Sequence, residues 1–151
     1  MGLVEAGLQA LLQGLSRFDN ADVTRGDFLV LDRGSGPYVV MYQGGFQVRR
    51  PGEWSQVHYS WSTYVEVYAQ YQDGGTSEQA LEAAVQDVVD TVGANPTVGD
   101  VDGVTLSGVE YADDLTYVYL RGEREAPSFV MQRVRVRTEE DVLYDGSGEF
   151  V

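Results

Sequence analysis

The 151-residue sequence has no cysteine, no lysine, a single histidine and only 4 prolines. Without cysteine there is no disulfide framework, no thiolate metal site and no cysteine nucleophile, and the absence fits a reducing compartment. All ten basic residues are arginine. GC-rich coding bias accounts for that, although arginine also makes planar, bidentate contacts that lysine cannot. A histidine-dependent triad would have to use His58, which falls in the middle of a strand-like segment with no nucleophile elbow. It reads as an exposed or hydrogen-bonded strand histidine. The sequence carries no P-loop and no dinucleotide-binding glycine pattern. Asp100-Val101-Asp102-Gly103 has part of a calcium-loop spacing but lacks the remaining ligands and the terminal glutamate, and reads as an acidic turn. These absences lead to the expectation of no catalytic residues, no cofactor and no metal: a protein that is not an enzyme.

Long apolar runs are missing too, so no segment approaches a transmembrane helix. Residues 1–16 contain Glu5 and lack a basic start, which suits an amphipathic helix better than a signal peptide. Formal net charge is −14, a balance that keeps a chain soluble and repels nucleic acid and anionic membranes. The hydrophobic fraction of 43% is enough for a packed interior. Length suits one domain. The 18 glycines favour short elements joined by tight turns.

Periodicity places the elements. Val4, Leu8, Leu11, Leu12 and Leu15 fall on one face of a helix over residues 2–17, which Gly7 and Gly14 weaken by about 1 kcal/mol each. Strands are expected at 28–31 and 38–42, broken by Asp32-Arg33-Gly34-Ser35-Gly36-Pro37. Phe46 to Trp54 reads as a protruding hairpin or loop. Residues 56–71 alternate most clearly: Val57, Tyr59, Trp61, Thr63, Val65, Val67, Ala69 and Tyr71 on a core-like face, His58 to Gln70 on a polar one. That pattern suits a sheet with helices on one side only, and a strand of this length invites a bulge. A second helix opens at a possible T-x-x-Q capping box, Thr76 to Gln79. It carries Leu81, Ala84, Val85, Val88, Val89 and Val92 as its stripe and ends near a C-cap Gly93. Strands return at 104–111, 115–121 and 129–138, with Asp113-Asp114 as a turn. The fold class is α+β: a mostly antiparallel or mixed sheet with two helices on one face. Residues 1–138 form the domain, and 139–151 read as an acidic tail or arm.

The last strand sets Arg133, Arg135 and Arg137 on one face. Like charges in a row need anionic neighbours or water. They either pair with carboxylates on adjacent strands of the same sheet or meet an acidic surface of another subunit. Arg49 and Arg50 beside Trp54 make a second such patch, since arginine and tryptophan are enriched at interface hot spots; a solvated loop is the plainer alternative. These six residues are the candidate subunit interface.

The order of elements resembles the tail terminator proteins of long-tailed bacteriophages. The likeness is carried by Trp61-Ser62-Thr63-Tyr64-Val65-Glu66-Val67-Tyr68, by Asp73-Gly74-Gly75-Thr76-Ser77-Glu78-Gln79-Ala80-Leu81, and by Leu106 to Asp114 with Leu115-Thr116-Tyr117-Val118. The first helix followed by Phe28 to Tyr42 is also similar. It covers the chain to about residue 137 as a pattern and not as a diagnostic motif, and the acidic end departs from the compact members. The resemblance implies a ring, usually a hexamer, that caps the tail tube, stops its growth and offers the head–neck connector its docking surface. Its partners would be copies of itself, the tube protein and the connector, with DNA only as passing cargo. Its place would be the virion tail or neck, assembled in the host cytoplasm. Two other readings are another phage neck or head–tail connector protein and an acidic inhibitor or immunity-type protein.

Overall fold

The computed structural model describes residues 2–15, 23–25, 37–49, 56–71, 75–99, 103–119 and 127–143. Period-two alternation builds the centre of the sheet. β3 (Gln56–Gln70) pairs antiparallel with β2 (Tyr38–Arg49) on one side and with β6 (Phe129–Leu143) on the other. Val65 of β3 lies between Met41 and Val134, and all three side chains are buried. The outer edge of β6 takes β4 (Val104–Tyr111) against residues 134–140 and β5 (Thr116–Val118) against residues 129–131. β1 (Val23–Arg25) adds to β2 in parallel. The strand order is β1-β2-β3-β6-β4, a mixed but mostly antiparallel sheet.

Both helices cover the same side of this sheet. α1 (Gly2–Gln13) contributes Val4, Leu8 and Leu12, and α2 (Thr76–Gly93) contributes Leu81, Ala84, Val85, Val88 and Val92. They enclose one core with Val39, Met41, Val65, Val67, Val130, Val134 and Val136 from the strands. Each fully buried aliphatic side chain contributes about 1.5–3 kcal/mol, an upper range because denatured chains already bury part of their surface. Across the sheet, Tyr38, Val40 and Phe129 form a second, smaller buried group, with the Tyr38 ring edge-on to Phe129 at 5.9 Å.

Several local expectations are corrected. The first helix stops at Gln13, although Leu15 still packs against the core. α2 is not capped by a Thr76–Gln79 box: its N-cap is Gly75, left-handed at φ 80°, with no side-chain cap hydrogen bond. Its C-cap is Ala94 and not Gly93; the Ala94 amide donates to the Asp90 carbonyl and the Asn95 amide to that of Val92. Of the two alternatives for the segment from Phe46, Phe46 to Arg49 take the hairpin and not the loop: β2 runs on through them in register with β3 as far as Arg49 opposite His58. The register breaks fall in β2, between Gln43 and Gly45, and in β4, between Leu106 and Gly108, while β3 itself is regular. β6 continues five residues past the expected end at 138, to Leu143, because Gln56 to Ser60 of β3 extend far enough to pair with it. β5 is shorter than expected, and β1 had no sequence forecast: with three residues it is too short to alternate. Its strand conformation comes from pairing with β2 and from burial of Val23. The strand expected at 28–31 and the segment 144–151 lie outside the described residues.

Candidate functional site

The helix-free face carries a connected polar network built by strand register. Glu66 on β3 stands opposite Arg133 on β6, and Tyr64 opposite Arg135. Glu66 is only 9% exposed, so its carboxylate is costly to desolvate unless well partnered. Arg133 reaches its Oε2 through Nε at 3.1 Å and Nη2 at 2.9 Å, while the hydroxyls of Tyr42 and Tyr68 donate to Oε2 at 3.0 Å and Oε1 at 2.9 Å. Burial, then the hydrogen bond to Glu66, pushes the Tyr42 hydroxyl up to about 12. Burial beside the same carboxylate raises Tyr68 as well. Both phenols therefore stay protonated and act as donors. Arg133 also bonds Asp113 at 2.8 Å, and Arg133 and Arg135 both lie over the Tyr64 ring, 5.3 and 5.5 Å from its centroid.

The expected arginine row is thus present on one face, and its charges are already met within the sheet. Arg135 and Arg137 share Glu110 of β4, at 3.3 and 2.9 Å, and Arg135 donates to the Tyr64 hydroxyl. Arg137 remains more than half exposed. Arg49 is exposed at the end of β2, on the same face but two strands away from β6. Arg50 and Trp54 lie outside the described residues, as do Asp100 and Asp102 of the acidic turn. A shallow concavity of about 410 Å³ opens beside the row, between Ser60, Ser62, Ser107, Arg135, Arg137 and Glu139. His58 faces two carboxylates: Asp141 at 2.7 Å from Nδ1 and Glu139 at 3.4 Å from Nε2. The Asp141 hydrogen bond, with a smaller contribution from Glu139, raises its pKa above the usual 6.5. No hydroxyl nucleophile is bonded to it among the described residues.

Two apolar surfaces escaped the sequence reading. The first is a ridge on the helix-bearing side, at the end of the ribbon that β2, β3 and β6 extend past the core. Phe46 and Val48 are about half exposed, at 55% and 50%. Phe46 packs on Trp61 at 4.9 Å, and Tyr59 stacks on Trp61 at 5.5 Å. The second lies at the opposite edge, where Tyr111, Tyr117 and Tyr119 are exposed. There α2 and the β4–β5 edge leave a groove of about 270 Å³. The missed signal for the ridge is the Gly44-Gly45 doublet. The break there adds one residue to β2 and exchanges the faces of everything beyond it. Even-numbered Tyr38, Val40 and Tyr42 share the helix-free face, whereas even-numbered Phe46 and Val48 join Trp61 and Tyr59 on the other.

No protein-family model matches the sequence, and no curated protein matches it significantly. Among solved structures, the chain superposes on one from the "Virion of native gene transfer agent (GTA) particle" with a TM-score of 0.49 and 19% identity, covering 94% of this chain and 96% of that one. A superposition this loose carries no functional weight; the chain's own surfaces have to.

Proposed function

We propose that this chain is a structural subunit of a phage-type virion and, more finely, a tail terminator: a protein that closes into a ring on the tail tube, halts its growth and presents the surface that joins the head. It acts by binding and not by catalysis. The observation that carries this reading is the pair of unlike apolar surfaces on opposite edges of one sheet. A closed ring needs two different patches per subunit, so that each copy offers one to the neighbour before it and the other to the neighbour behind. Exposed aromatic side chains of this kind are characteristic of protein contact surfaces. The order of elements and the segments from Trp61 to Tyr68 and Asp73 to Leu81 supply the resemblance to terminators. A net charge of −14 suits a passage through which DNA moves without sticking.

The test is genetic. Removing this protein from its phage is expected to give tails of uncontrolled length that do not join heads. Heads and tails joined normally, at normal length, would contradict the assignment. Tails of normal length that fail to join would transfer it to the neck connectors.

A further inference from the structure

The tip of the strand ribbon carries a charge cluster that the virion reading does not use. Its last row to span three strands is Arg49 of β2, His58 of β3 and Asp141 of β6, each opposite the next. Residues opposite one another in a sheet share a face, so all three side chains stand on the helix-free side. Beyond this row the sheet narrows. β2 ends at Arg49, and β4 pairs with β6 only as far as Glu140 opposite Val104. Among the described residues, Asp141 to Leu143 therefore have β3 as their one partner strand.

Charge works against that stretch. Glu139, Glu140 and Asp141 are consecutive, and the sequence from Thr138 to Val151 contains five acidic residues and no basic one. Glu139 and Asp141 lie two residues apart on one face, where like charges repel. The His58 ring stands between them and meets both, with Nδ1 2.7 Å from Asp141 and Nε2 3.4 Å from Glu139. Only one protonation state suits this arrangement. The imidazolium offers an N–H to each carboxylate, whereas either neutral tautomer has a single N–H and turns a lone pair toward the other carboxylate. Loss of the proton thus removes a favourable contact and adds a repulsion at the same place. The other charges on this face near the ring are Arg49 from β2 and, two residues before Glu139 on β6, Arg137, which is already paired with Glu110. Gln56 and Ser60, the neighbours of His58 on its own strand face, are uncharged.

We propose that His58 is a proton-operated latch for the end of β6. Protonated, it bridges Asp141 and Glu139 and holds residues 139–143 on β3. Deprotonated, it lets that end open while the rest of the sheet stays closed. The two carboxylates, Asp141 first, raise the His58 pKa above 6.5, so the latch opens as pH rises through that raised value. The latch is independent of the ring reading.

Amide hydrogen exchange of the purified full chain tests it, followed residue by residue by NMR and corrected for the intrinsic pH dependence of exchange. Those amides of residues 139–143 that bond β3 are expected to lose protection severalfold as pH rises, at the midpoint where the His58 ring itself titrates. The amides of residues 132–136 should keep theirs. His58→Gln should leave the end open, with low protection at every pH. His58→Arg, which keeps the charge and more than one donor, should hold it closed at every pH. Protection at 139–143 that is unchanged while His58 titrates would overturn the latch. So would a loss shared equally by the whole sheet, which would leave His58 a contributor to global stability only. A His58→Arg chain that still follows the wild-type pH profile would remove the proton on His58 as the trigger.

Discussion

Gly44 shows how much one residue decides. A Cβ at this position would lie 2.2 Å from the Tyr64 ring, which is itself pinned by Arg133 and Arg135. Gly44→Ala is expected to lower stability by about 1–3 kcal/mol, the usual cost of overpacking, measured by urea unfolding. Unchanged stability would mean that Tyr64 is free to move. Thr63 is the opposite case: it is fully buried, and its hydroxyl makes no hydrogen bond among the described residues. Thr63→Val exchanges an unsatisfied polar group for a methyl of similar shape and should be neutral or stabilising by up to about 1 kcal/mol. A clear loss of stability would imply a partner for that hydroxyl. His58 brings pH dependence. Its folded pKa is raised above 6.5, chiefly by the Asp141 hydrogen bond. Its contribution to stability is therefore complete below the unfolded value and is lost as pH rises through the folded one. Unfolding midpoints should fall with pH across that window, and His58→Gln should flatten the slope; an unaltered slope would remove His58 as its source.

At the scale of elements, the strand ribbon explains both what was legible and what was not. Alternation in Val57 to Tyr71 fixed the two faces of β3, and helical spacing from Leu81 to Val92 fixed α2, because burial on one side imposes those periods directly. The helix ends were misread because Thr76 and Gly93 have the right chemistry for caps, while Gly75 and Ala94 take those positions in the chain's actual path. Phe46 to Arg49 could be given only as hairpin or loop because the bulge at Gly44 reverses the alternation beyond it. Pairing of the arginine row with carboxylates of its own sheet could be offered only as one of two options, and Glu66 not named as a partner, since strand register is a tertiary fact. That network has a testable weight. Removing one partner of a buried ion pair costs about 3–5 kcal/mol, and Arg133 keeps some solvent access, so Glu66→Ala should cost roughly 2–3 kcal/mol. A loss under 1 kcal/mol would show the network to be dispensable. Replacing Arg133, Arg135 and Arg137 together by glutamine separates the two readings of the row. A lower melting temperature with unchanged assembly assigns it to its own sheet, and the ion pairs favour that result. Lost assembly at an unchanged melting temperature assigns it to a neighbour.

For the whole molecule, the governing feature is asymmetry. The helices and their core occupy one side of the sheet, the charge network occupies the other, and unlike apolar surfaces sit on its two edges. On the proposed reading, such a subunit would meet its neighbours through two unlike surfaces and close into a ring where the rotation between copies permits. The measurement that bears most directly on this account is electron microscopy of the purified protein, alone and mixed with tail tubes. Closed rings of uniform size, seated on tube ends, are the predicted result. Single subunits in solution beside bare tube ends would contradict it.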